Sequence, residues 1–231
     1  MEDQMVKVVE ERFCVPYTME LVVKRKLQSF SKSLYEAFDA TGNFLLQVDG
    51  GVWKFQKKRV MKDPAGLPVA TLREKQALSW KHQWMIHQGE SSERNHFLCT
   101  VQKSNALRIK NNLDVFLGNR YKDHGRDFHV TGSFSSLSFK VIRANTVIAE
   151  VRHNFTWGSC KGKESFKVKV YPEVDYAFIV ALLVDSHCLK GVFASEKRAL
   201  SLLERVKGWH SLDHDKWFNQ DIFSGRVNKR V

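Results

Sequence analysis

The 231-residue chain carries a formal charge of +12 and a pI near 9.6, with four cysteines and four prolines. That balance favours encounter with anionic partners, a membrane surface or nucleic acid, and says nothing about fold. No Pro/Gly/Ser-rich linker interrupts the chain, and the opening Met1-Glu2-Asp3-Gln4 lacks the cationic and apolar regions of a secretory signal, so one main domain without a leader is expected. Cys14, Cys99, Cys160 and Cys188 lie far apart with no CxxC spacing. They read as reduced thiols of a cytosolic or nuclear protein, with neither a disulfide nor a zinc site.

In chain order, strand signals come at short, regular intervals. After an apolar-rich run at residues 21–27, runs at 34–39 and 44–48 flank Asp39-Ala40-Thr41-Gly42-Asn43. A short run at 52–55 follows, and then runs at 57–62 and 69–73 flank Asp63-Pro64-Ala65-Gly66. Both interruptions read as hairpin turns, because Asp accepts from nearby backbone N–H groups and Gly accepts positive φ. Further strands are expected at 78–86, at 97–101 where Phe97, Cys99 and Val101 share a face, at 114–117 and at 128–132. A third hairpin, 139–143 with 147–152, turns at Ala144-Asn145-Thr146 without a Gly, which completes a weak internal repeat of hairpins. In the last strand Phe166, Val168 and Val170 face one way while Lys167 and Lys169 face the other, so one face is dry and one wet.

The segment from Pro172 to Asp185 then changes character. Residues 176–184 are apolar on every side of a helix and stand between Asp175 and Asp185. A bilayer span needs roughly 20 such residues, so lipid is excluded by length and protein must cover every face. About a dozen strands precede this helix. Roughly eight close a barrel that side chains alone can fill, whereas a helix about 10–12 Å across requires a wider one. The expected fold is therefore mainly β: a closed antiparallel barrel of about twelve strands around a central hydrophobic helix near 173–187. The alternative, a β-sandwich carrying the helix on its surface, would leave half of 176–184 wet.

Several segments in combination, Phe38-Asp39-Ala40-Thr41-Gly42-Asn43, Val48-Asp49-Gly50, the run from Asp63 to Arg73, Leu78-Ser79-Trp80-Lys81-His82-Gln83-Trp84, Leu113-Asp114-Val115-Phe116-Leu117 and Val170-Tyr171-Pro172-Glu173-Val174-Asp175-Tyr176-Ala177, resemble the LURP-one-related family of plant proteins. The resemblance covers approximately residues 15–191. It implies a tubby-like barrel of twelve strands threaded by a C-terminal helix, a fold shared with tubby C-terminal domains and phospholipid scramblases. It also implies a plant source and, for some members, a part in basal defence. It supplies no catalytic residues and no cofactor.

The expected domain plan is a barrel over 1–191 and an extension over 192–231. In the extension, Ser195 is a plausible N-cap, and Ala199, Leu202, Leu203 and Val206 fall on one helical face before Gly208. The amphipathic helix expected near 195–207 either packs on the barrel mouth or offers Lys197, Arg198, Arg205 and Lys207 to a protein partner or to anionic headgroups. The tail beyond it holds Trp209, Trp217, Phe218 and Phe223 and ends basic, with Arg226, Lys229 and Arg230.

The densest basic cluster is Lys57-Lys58-Arg59, with Arg73, Lys75 and Lys81 expected on neighbouring strands. Alternation places Lys57 and Arg59 on one face and Lys58 on the other. Lys161 and Lys163, in a basic hairpin loop before the strand that starts at Phe166, are further candidates for phosphate. Tubby domains bind phosphoinositide headgroups through basic side chains of neighbouring strands, so the resemblance favours Lys57, Arg59, Arg73, Lys75, Lys81, Lys161 and Lys163 as an anionic-ligand site. No headgroup motif matches residue by residue.

Enzyme signals are weak. Gly158-Ser159-Cys160-Lys161-Gly162 has the outline of a nucleophile elbow but is followed by a strand, not a helix. The same stretch is one residue short of a P-loop, with Glu164 where Ser or Thr should bind magnesium. His210 and His214, with Asp213 and Asp215, have a metal-compatible spacing but read as solvated tail residues. Asn154-Phe155-Thr156 is a sequon without access to glycosylation.

The sequence thus points to a non-enzymatic barrel without metal or cofactor, acting as a membrane-surface or signalling adaptor that binds acidic phospholipids in plant defence or stress. A nuclear regulator contacting nucleic acid or transcription proteins is the alternative, as is a protein-interaction scaffold. A scramblase is disfavoured, because the nine-residue run supplies no lipid-facing structure. The expected location is cytoplasmic, peripheral at the plasma membrane or nuclear.

Overall fold

The structure, a computed structural model, describes residues 5–29, 32–50, 58–75, 83–104, 112–118, 125–133, 138–154 and 163–185. The chain divides into two compact units, Met1–Lys190 and Gly191–Val231, and the second lies outside the described residues together with the amphipathic helix expected there.

Twelve strands occur among the described residues: β1 (Met19–Ser29), β2 (Lys32–Asp39), β3 (Phe44–Gly50), β4 (Lys58–Lys62), β5 (Pro68–Lys75), β6 (Gln83–Gln88), β7 (Phe97–Lys103), β8 (Leu113–Leu117), β9 (Phe128–Ser133), β10 (Ser138–Arg143), β11 (Thr146–Asn154) and β12 (Lys163–Val170). Each pairs antiparallel with its neighbours in sequence, and β12 returns to β1 to close the ring, from Met19 opposite Val170 to Lys26 opposite Lys163. Closure leaves no unpaired strand edge. The strand expected at 52–55 and the early part of that expected at 78–86 lie outside the described residues.

The three expected turns form, by two chemistries. Asp39 Oδ1 accepts from the backbone N–H groups of Thr41 and Asn43 at 2.9 and 2.8 Å, and Asp63 Oδ1 accepts from Ala65 and Leu67, both at 3.0 Å. Gly42 and Gly66 complete those loops at φ of +93° and +81°. In the third turn Ala144 and Asn145 themselves take φ of 44° and 70°, a two-residue hairpin loop that dispenses with Gly.

Side-chain alternation then divides the wall. Leu21, Val23, Leu46, Met61, Leu72, Ile86, Cys99, Val101, Val115, Val130, Val151 and Val168 point into the bore and are buried. The bore is filled by helix α1 (residues 176–185 of those described), in which every residue from Ala177 to Asp185 is at most 1% exposed. Phe178 meets Phe128 of the wall with ring centroids 5.1 Å apart. Burying each large apolar side chain of such a helix contributes roughly 1.5–3 kcal/mol, which explains why an apolar surface on all sides is tolerated here.

The helix begins later than the residue 173 expected from sequence. Residues 174 and 175 are drawn into short bridges with the N-terminal segment, Val6 with Val174 and Cys14 with Asp175. Asp175 is the N-cap of α1: its Oδ1 accepts from the Phe178 N–H at 3.0 Å. Its Oδ2 accepts from the N–H groups of Val8, Val9 and Glu10 at 3.3, 2.7 and 3.2 Å, so one carboxylate caps the helix and holds a strap across its lower end. Val6, Val8, Val9 and Phe13 of that strap are buried, and Phe13 sets its edge against Tyr176 with centroids 5.3 Å apart.

Candidate anion-binding faces of the barrel

The wall separates the basic residues that sequence grouped together. Lys57, Lys81 and Lys161 lie outside the described residues. Arg59 shares its face with Met61, opposite Leu72 of β5, and that face is the bore. Arg59 is 3% exposed, donates to Ser33 Oγ at 3.0 Å and lies over the Tyr35 ring at 5.4 Å. This corrects the expectation for Arg59: its position in the strand directs it inward, away from any ligand on the outer surface. Lys58 is the outward member of the triplet. It stands opposite Arg73, with Lys75 two residues further along β5, and its Nζ lies 2.9 Å from Glu90 Oε1. That ammonium is the main cause holding the Glu90 carboxyl below its ordinary range. Arg73 is half-buried and Lys75 exposed, so the β4–β5 face keeps Lys58, Arg73 and Lys75 with Glu90 beside Lys58 and Asp49 beside Lys62.

A second basic face stands at the closing seam. On β12, Phe166, Val168 and Val170 fill the bore while Lys163, Lys167 and Lys169 project outward and exposed. On β1, Lys26 stands opposite Lys163, with Lys24 exposed two residues away; on β11, exposed Arg152 stands opposite Lys167. A groove of about 480 Å³ runs over these three strands, lined among others by Val22, Ala40, Arg152, Lys167 and Lys169.

The acids of this wall are largely engaged. Glu150 accepts from Lys140 and Arg152, each at 3.2 Å, and these cations, Lys140 first, hold its carboxyl low. Glu36 holds Lys26 at 2.9 Å. Lys24 lies over Phe38 at 4.8 Å and stands opposite Glu36, while Lys169 lies over Tyr171 at 5.2 Å and stands between Glu20 of β1 and Glu150 of β11. Among the described residues no carboxylate lies within 4.0 Å of the ammonium of Lys163 or Lys167, and Lys169 has Glu20 and Glu150 as its register partners.

Of the described residues singled out from sequence as anion ligands, Lys163 alone belongs to this face, with three strands between β12 and β4. Lys24, Lys26, Arg152, Lys167 and Lys169 were not assigned to a site. Their signal was present in the alternation of β12, since a strand whose dry face is Phe-Val-Val must present Lys163, Lys167 and Lys169 on one wet stripe. What a linear reading lacked was the closure that brings β1 beside β12.

Other titratable groups serve the wall. His129 Nδ1 lies 2.8 Å from Asp114 Oδ1 across the β8–β9 register, with Arg126 at 3.4 Å from the same oxygen. Among the described residues no group of three or more His, Cys, Asp or Glu could hold a metal ion, and no helix is long and apolar enough to cross a membrane.

Comparison with known families decides the lineage. A family model described as LURP-one-related matches residues 19–184, from the start of β1 into α1. This chain belongs to the LURP-one-related family. Within it, the chain is similar to Protein LURP-one-related 14 of Arabidopsis thaliana, 54% identical over 186 residues that cover 79% of this chain and 90% of the relative. It is similar also to Protein LURP-one-related 9 of the same plant, 42% identical over 188 residues covering 78% and 95% of the two chains. The X-ray structure of an Arabidopsis thaliana protein matches with a TM-score of 0.60 at 32% identity, covering 79% of this chain and 98% of that one. The LURP-one-related match therefore spans the strands that carry both basic faces, and the closed twelve-stranded barrel around one helix is the fold of the family.

Proposed function

We propose that this LURP-one-related barrel is a non-enzymatic adaptor that docks on membrane surfaces by binding acidic phospholipid headgroups, in plant defence or stress signalling. The observation that carries the reading is the seam stripe: Lys163, Lys167 and Lys169 project from one strand, with Lys24, Lys26 and Arg152 beside them. Alternation turns these side chains to the outer side of the wall, where neighbouring strands present them together to an anionic surface. A basic residue at such a surface contributes about 1 kcal/mol.

The test is co-sedimentation with phosphatidylcholine vesicles, with and without phosphoinositide, at physiological salt. The native chain pellets only with the anionic vesicles and is released by raised salt. Replacing Lys163, Lys167 and Lys169 by Gln weakens binding on the order of a hundredfold, three contributions of about 1 kcal/mol each. Unchanged pelleting of the triple variant, or a shift of arbitrary duplex DNA without lipid-dependent pelleting, overturns the proposal and in the second case favours a nuclear role.

A further inference from the structure

The outer face of a barrel strand ordinarily alternates polar residues against the apolar ones of the bore, and the closing seam departs from that rule along one line. Val22 of β1 is half-buried on the outer side, since Leu21 and Val23 on either side of it fill the bore. Lys167 of β12 stands opposite it on one flank and Phe38 of β2 on the other. Arg152 of β11 extends the line beyond Lys167, and Phe44 of β3 extends it beyond Phe38. A single row across five strands is therefore basic at one end and apolar at the other. Phe38 and Phe44 meet edge to face with ring centroids 5.8 Å apart, and both are half-buried.

The neighbouring row shows where an anion belongs. There Lys169 stands between Glu20 and Glu150, so acids flank its charge on both sides. Glu150 also accepts from Lys140 and Arg152, each at 3.2 Å. The Val22 row, by contrast, holds two cations and no carboxylate. The groove of about 480 Å³ opens over this step, with Arg152, Lys167 and Lys169 at its basic end and Val22 and Ala40 on its apolar side. Small-molecule sites occupy roughly 300–1,000 Å³, so the groove has the volume of one. From Lys167 to Phe44 the row crosses three inter-strand spacings, about 14 Å at roughly 4.8 Å each.

We propose that this row binds a single-chain amphiphilic anion, a medium-chain hydrocarbon acid whose head sits between Lys167 and Arg152 and whose stem lies over Val22, Phe38 and Phe44. The head accepts charge-assisted hydrogen bonds from both cations. The stem covers the three apolar side chains and leaves water itself. Neither half suffices alone, because an exposed ion pair contributes little and an uncharged stem gains nothing from the basic end. Lys24, whose ammonium lies over the Phe38 ring at 4.8 Å, is the group the stem displaces. Such a ligand is taken from solution and laid along the wall, so the site goes beyond docking on the headgroups of a bilayer.

The test titrates the full chain with dodecanoate below its micelle concentration, followed by calorimetry and backbone amide NMR. Dodecanoate binds saturably, with shifts confined to residues 20–24, 38–44, 150–152 and 167–169. Acetate, which is the head alone, and dodecyltrimethylammonium, the same stem under a cationic head, bind weaker by about tenfold or more. Lys167→Gln weakens dodecanoate about tenfold, the loss of one charge-assisted hydrogen bond. Val22→Thr keeps the branched shape that suits a strand and weakens it about threefold by making the floor polar. Arg94→Gln, an exposed cation between β6 and β7, leaves the affinity unchanged. Equal binding of the cationic amphiphile, shifts centred elsewhere, or native affinity in both Lys167→Gln and Val22→Thr overturns the site. Co-sedimentation with phosphoinositide-bearing phosphatidylcholine vesicles, run in parallel, separates this site from the membrane reading. Uptake of dodecanoate without vesicle pelleting supports the site and removes the membrane role, whereas pelleting without uptake overturns the site and leaves that role standing.

Discussion

At the scale of single residues, Asp175 shows how one side chain can organise two distant parts of a chain. Its donors come from Phe178, three residues ahead, and from Val8, Val9 and Glu10 at the other end of the sequence. The buried carboxyl is pushed upward by desolvation, and the four N–H donors act in the opposite sense without reversing it. Replacing Asp175 by Ala removes the helix cap and leaves the strap's N–H groups without their acceptor. A hydrogen bond to a charged group contributes about 1.5–3 kcal/mol net, and a lost cap costs about 1 kcal/mol. Asp175→Ala is therefore expected to lower stability by about 3 kcal/mol or more in urea unfolding, with residues 5–15 becoming the first site of limited proteolysis. Stability within about 0.5 kcal/mol of the native chain would show that the strap is held by its apolar side chains alone. None of this arrangement was legible in the sequence. The strap has no strand or helix periodicity of its own, and its partner lies about 165 residues away.

At the scale of elements, pairing demands a close approach between β9 and β10. Gly132 stands opposite Phe139, and a Cβ built there would lie 2.4 Å from the Ser138 carbonyl oxygen and 2.5 Å from Phe139 Cα, both backbone atoms that cannot swing aside. Its φ of +157° adds to the requirement for Gly. Gly132→Ala should lower the urea midpoint by the equivalent of about 3 kcal/mol, at the top of the range for overpacking. A neutral substitution would mean that the β9–β10 ladder can part locally. Strands such as β12 were readable because Phe166, Val168 and Val170 alternate with lysines. β4 was readable as a strand but not in its orientation: Val60 and Met61 are both apolar, so the pattern does not say which of Lys58 and Arg59 faces water. The ladder to β5, where Met61 meets Ala70 and Arg59 meets Leu72, settles it. For the same reason the β4–β5 cluster inferred from sequence loses Arg59, and the basic face that gains most is one whose two strands begin and end the barrel.

At the scale of the whole molecule, every strand pair but one joins neighbours in sequence, and the exception, β1 with β12, closes the ring. That pair also carries the basic stripe, with Lys26 directly opposite Lys163 and Lys24 close to both. Like charges directly opposite one another weaken a strand pair by roughly 0.2–1 kcal/mol. The Lys26–Lys163 pair is thus a cost to closure, and under the proposed function a bound anion would relieve it. Polyvalent anions such as inositol hexakisphosphate are expected to raise the melting temperature of the native chain more than sodium chloride of equal ionic strength. The Lys163→Gln, Lys167→Gln, Lys169→Gln triple variant should start from a higher melting temperature and respond little. Equal responses of the two proteins would separate anion binding from the seam. A hoop is only as sound as its join, and this one is drawn together by Arg25 and Glu164 while Lys26 and Lys163 oppose each other outside. Under the proposed function, a negative surface laid across β1 and β12 would serve as a clasp, so that docking and tightening the barrel would become a single event.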